Sequence, residues 1–112
     1  MQRAFVEPVG FKTVYSTYKG KCAICGLPVP NTTEPENPWG ATVDHIIPLS
    51  KGGLHQKSNC QLAHRMCNSI KCDTEEECKI DWVEKLVSEP GRWNAQLDEL
   101  WRQLAEILPT FT

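Results

Sequence analysis

Two short pairs in the sequence carry metal-seeking side chains at matched spacing: Cys22-x-x-Cys25 and His64-x-x-Cys67. Each spacing aims two donors at one point. Together they offer three thiolates and one imidazole, the closed tetrahedral shell that zinc takes in structural roles. A closed shell leaves no position for substrate, so this chemistry is that of a staple. Between and beside the two pairs lie Asp44-His45, Asn59, Asn68 directly after Cys67, and Lys71. Histidine exchanges protons near neutral pH, and Asp44 places a carboxylate beside it. Cys60, Cys72 and Cys78 are left over. Cys60 in place of His64, or Cys72 in place of Cys67, would lose the x-x spacing, and Cys78 fits an apolar helical stripe. His55 sits in a loop with no partner at a telling spacing and is assigned no role.

These residues need elements to position them. "ATVDHIIPL" reads as a strand of β-branched residues stopped by Pro48, and Gly52-Gly53 marks the turn after it. Neighbouring strand positions face opposite sides, so Asp44 and His45 cannot both face the core. "CQLAH" reads as a returning strand and "RMCNSIK" as the start of a helix. "FKTVYSTY" places Phe11, Val14, Tyr15 and Tyr18 on one face of a short N-terminal helix. The tail reads as two helices. The first is capped by Asp73 or Thr74, with Cys78, Trp82, Val83, Leu86 and Val87 as its apolar stripe. The second carries Trp93, Leu97, Leu100, Trp101, Leu104 and Leu108 and stops at Pro109. Packing within the domain is the expected use of that last face, ahead of a dimer seam. The fold class is therefore α+β, in one domain spanning 1–112, with a core at 21–72 and a helical extension at 73–112.

The net charge of −2 conceals an asymmetry. Up to residue 72 there are eight Lys/Arg against four Asp/Glu; beyond it, four against ten. A basic front is compatible with a polyanion approaching that side. No stretch is long and apolar enough to span a membrane, and "MQRAFVEPVG" lacks a signal-peptide pattern. A cytoplasmic setting follows as the expectation, where thiols stay reduced and bind metals.

"CAIC", "VDHIIPLSKGG" and "NCQLAHRMCNSIK", in that order over Lys21 to Lys71, resemble the zinc-stapled branch of the HNH endonucleases. That branch follows the pattern C-x-x-C, D-H, G-G, N, and C/H-x-x-C-[HN]-x-x-K. The resemblance implies a ββα-metal unit with a structural Zn2+. It implies His45 as the general base, Asp44 and Asn68 as holders of one divalent ion, and Asn59 as the residue that orients His45. Arg65 and Lys71 would meet DNA phosphates, with Lys51 alongside them. Phosphodiester hydrolysis asks for these types in any case: a base that can take a proton from water, and a cation that neutralises the transition state. Oxygen ligands favour Mg2+ or Mn2+. The implied function is a metal-dependent DNA endonuclease that nicks or has weak sequence preference. The alternative is a non-catalytic zinc module that binds DNA or a protein, for example a phage packaging accessory, since small phage proteins of this family have a similar size.

Overall fold

The computed structural model describes residues 9–71 and 79–107. The chain forms two compact units, Met1–Lys79 and Ile80–Thr112.

The first unit is built on a two-stranded antiparallel ribbon, β1 (Ala41–His45) and β2 (Cys60–His64). Helix α1 (Phe11–Thr17) precedes it, and α2 (Arg65–Lys71) leaves β2 without a break. The register pairs Ala41 with His64, Asp44 with Gln61 and His45 with Cys60. Two strands alone are marginal in water, and the ribbon is stabilised by what covers it. Val14, Ile24, Val29, Trp39, Ala41, Leu62 and Ala63 are all buried. At full burial each large aliphatic chain contributes about 1.5–3 kcal/mol. A ββα order thus emerges where the alternating strand pattern and the helix-opening "RMCNSIK" placed it. Helix α1 likewise begins at Phe11 and buries Val14.

The connection between the strands owes its shape to Asn59. Its amide donates to the carbonyls of Ile47 (3.0 Å) and Leu54 (2.9 Å), while its Oδ1 accepts from the Ile47 amide (2.9 Å). The loop is drawn so tight that a Cβ on Gly53 would stand 1.8 Å from the Ile47 carbonyl oxygen. Only glycine fits there, which explains the second residue of the Gly52-Gly53 pair.

In the second unit, α3 spans Trp82–Ser88 and α4 spans Asn94–Ile107. Asp81 caps α3, its Oδ1 accepting from the amides of Val83 (3.0 Å) and Glu84 (3.2 Å). The cap expected at Asp73 or Thr74 lies outside the described residues, as do Cys72, Cys78 and Leu108. Leu97, Leu100 and Leu104 of α4 are buried as their spacing predicts, while Trp101 is half-exposed. The α3 stripe is corrected. Trp82 is buried and stacks edge-on against Trp93 at 5.2 Å, but Val83 and Val87 are 71% and 76% exposed. A helix of seven residues makes its buried contact through the one large ring and leaves the smaller side chains in solvent.

Candidate metal centre and nuclease site

Cys22, Cys25, His64 and Cys67 converge, with one donor atom of each within 4.8 Å of the others. The knuckle that carries the first two is held by backbone. The amides of Ile24 and Cys25 point at Cys22 Sγ (3.4 and 3.5 Å), and the Gly26 amide closes on the Cys22 carbonyl at 2.8 Å. Gly26 has φ +82°, a left-handed conformation that favours glycine. Ala23 ties the knuckle to β2 through the Leu62 carbonyl (2.8 Å). His64 ends β2, and Cys67 lies in the first turn of α2.

His64 Nε2 donates to the Pro28 carbonyl at 2.8 Å, which leaves Nδ1 facing the thiols. Its distances to Cys25 Sγ and Cys67 Sγ are 3.4 and 3.7 Å. Across a tetrahedral zinc, a sulfur and a nitrogen stand about 3.6 Å apart, so these separations fit the ion. The electrostatics agree. Hydrogen bonds from Cys25 and Cys67 first, then His64, hold the Cys22 thiol well below its usual range despite burial. Burial opposes charge on the His64 ring, but Cys22 and Cys25 push it up to about 9. Metal enters such a cluster by displacing protons. The four donors could therefore hold a structural zinc.

At the other end of the ribbon, Val43, Asp44, His45, Pro48, Leu49, Ser50, Asn68 and Lys71 line one open depression of about 310 Å³. Asp44 is buried. Gln61, its cross-strand partner, donates to Oδ2 at 2.9 Å, and Lys71 Nζ lies 3.3 Å from the same oxygen. Both partners take Oδ2, which leaves Oδ1 for another ligand. Asn68, in the first turns of α2, lines the same depression. A carboxylate and an amide oxygen are hard donors, and that chemistry fits Mg2+ or Mn2+.

A cysteine–histidine cluster and a carboxylate–imidazole–amide pocket on one ββα frame point to one family. Residues 22–74 match the family model of HNH endonuclease. The match spans a little under half of the chain. No curated protein and no solved structure matches the chain.

Within the matched residues, two expectations change. Lys71 is not at the surface: it is 1% exposed and is shared between Asp44 and the His45 carbonyl (3.3 Å). The reason is helical geometry, since Lys71 stands four residues after the fully buried Cys67 and shares its face. Arg65 Nη2 donates to the Thr33 carbonyl at 3.4 Å, and Lys51 is exposed at the end of the turn after Pro48. Asn59 contacts the loop after His45, through Ile47 and Leu54, and not the His45 ring.

The second change concerns His55. Its Nδ1 lies 2.9 Å from His45 Nε2, and its Nε2 lies 3.3 Å from the Val9 carbonyl. A carbonyl can only accept, so His55 Nε2 carries the proton and His55 Nδ1 accepts. With both rings neutral, His45 Nε2 is then the donor, and the lone pair of His45 is on Nδ1. Desolvation first, then the nearby His55, lower the His45 pKa below 6.5, against an opposing pull from Asp44. His45 is thus neutral at physiological pH. His55 was missed because its partner stands ten residues away across a loop, with no periodicity to reveal it.

Proposed function

We propose that the chain is a metal-dependent DNA endonuclease that hydrolyses phosphodiester bonds to 5′-phosphate and 3′-hydroxyl ends. The observation that carries this reading is the shared depression lined by Asp44, His45 and Asn68. Asp44 and Asn68 would hold the catalytic Mg2+ or Mn2+, which when bound neutralises charge on the phosphorane and the departing oxygen. His45 takes the proton of the attacking water at Nδ1, the nitrogen its hydrogen bond to His55 leaves free for the purpose. Its lowered pKa keeps it in the base form at the pH where it works. Asn59 fixes the loop that follows His45 and so positions the strand end. Lys51 and Arg65 meet the DNA backbone, a contact that carries little sequence information and favours weak specificity. One such centre cuts one strand, so nicking is the expected product.

Supercoiled plasmid tests this directly. The wild-type chain should nick with Mg2+ or Mn2+, stop when EDTA is added, and resume when the ion is returned. His45→Ala should lower the rate by roughly 10²–10⁴-fold, the usual worth of a positioned general base. Equal nicking by both proteins, or by neither, would favour a non-catalytic zinc module.

A further inference from the structure

The strand register that seats His45 opposite Cys60 brings a second group of soft donors together. We propose that His45 Nε2, His55 Nδ1 and Cys60 Sγ form a separate metal site for a borderline transition ion such as Zn2+, and that filling it shuts the nuclease off. One donor atom of each residue lies within 4.8 Å of the others. His45 and Cys60 are cross-strand partners on one face of the ribbon, and His55 closes over them from the loop. The two nitrogens are 2.9 Å apart, and the Cys60 sulfur is 3.9 Å from His55 Nδ1. A tetrahedral zinc needs about 3.3 Å between nitrogens and about 3.6 Å between nitrogen and sulfur. Shifts of a few tenths of an ångström therefore suffice for these two pairs. The Val9 carbonyl on His55 Nε2 is the outer partner that orients a metal-binding imidazole. Cys60 is buried beneath two half-buried rings, so an ion enters from the ring side and keeps one open position.

Ligand type separates this site from the catalytic one. Asp44 and Asn68 present hard oxygens; His45, His55 and Cys60 present nitrogen and sulfur, which Mg2+ does not seek. Binding changes the protonation of His45 in a definite way. The thiol proton of Cys60 leaves to solvent, the metal takes His45 Nε2, and the ring proton moves to Nδ1. Both nitrogens of His45 are then occupied, and no lone pair remains to accept a proton from water. This inhibitory consequence rests on the reading of His45 as the general base; the metal binding itself does not.

Full-length protein carrying zinc in the staple is titrated with Co2+, reading equivalents bound and the thiolate-to-cobalt charge-transfer band. Wild type should take up one further equivalent with that band. Cys60→Ser should lose the band, and His55→Gln should weaken the added equivalent by at least the roughly tenfold that even an outer-shell partner is worth. His55→Gln changes a loop residue, so it decides the matter if the buried Cys60 variant fails to fold. In parallel, nicking in Mg2+ is measured with and without added Zn2+, and each protein is scored by its own ratio. Zinc should inhibit wild type at least tenfold more strongly than His55→Gln. The proposal is overturned if wild type shows no charge-transfer band, if the band and affinity survive both changes, or if the inhibition ratios agree. If no protein nicks at all, the nuclease reading fails while the cobalt titration still decides the site.

Discussion

One ribbon carries an imidazole–thiol cluster at each end, and the two differ in burial far more than in donor type. At the Ala41–His64 end, His64 and Cys67 are fully buried, and backbone amides are aimed at the Cys22 sulfur. At the His45–Cys60 end, a buried sulfur underlies two half-buried rings that hydrogen-bond each other. Three thiols and a ring with its outer nitrogen committed to Pro28 make a closed shell, suited to holding a fold together. Two rings and one thiol leave an opening, and one nitrogen of His45 stands outside the bond between the rings. Residue type alone therefore does not assign the role. Burial and the fate of the second ring nitrogen do.

The sharpest way to break that comparison is to remove one donor from each end. Cys22→Ser should cost the metal-coupled folding energy, about 10 kcal/mol or more, and unfold the first unit. Zinc content and far-UV circular dichroism would show both losses together. His55→Gln should cost on the order of 1 kcal/mol, the worth of one hydrogen bond, and leave the staple loaded. Similar melting losses in the two variants would erase the distinction between a structural and a working cluster. Next in size is the rate loss of His45→Ala, which should come without loss of zinc.

Lys71 sharpens the same contrast from the pocket side. It is a buried cation 3.3 Å from Asp44 Oδ2. Lys71→Met strips Asp44 of its charge partner and should destabilise the first unit by about 3–5 kcal/mol when divalent ions are absent. Adding Mg2+ should raise the melting temperature of this variant more than that of wild type, because the ion supplies the missing positive charge. Equal Mg2+ responses would mean that Asp44 does not take the ion.

Much of this was legible before any coordinates. The two x-x spacings, the Asp44-His45 strand end, the Pro and Gly stops and the helix after Cys67 all fall where local rules put them. Local rules carry short-range information, and the staple and ββα order are mostly short-range. Lys71 reads as a phosphate contact because basic residues on a helix are usually solvated, whereas the structure buries it against Asp44. Its spacing from Cys67, one helical turn, was the available signal for burial. His55 gave no signal, since a loop residue finds its partner only once the strands are in register. Val83 and Val87 show the opposite error, in which apolar spacing was correct for a helix but did not decide what the helix buries.

The smallest expected effect is the one that tests the His45–His55 contact most finely. Burial and His55 both disfavour a charged His45, so its pKa lies below 6.5. The free base is present above that lowered pKa, and cleavage should fall only as pH drops through it. The acid limb of kcat/KM for nicking should therefore lie below 6.5, with zinc content checked at each pH. In His55→Gln the repulsive neighbour is gone and the ring gains solvent, so two of the lowering influences weaken. The limb should move up toward 6.5 by a fraction of a pH unit, while Asp44 continues to favour the charged form. A limb that stays in place would show that the 2.9 Å contact is a bystander to the titration of His45.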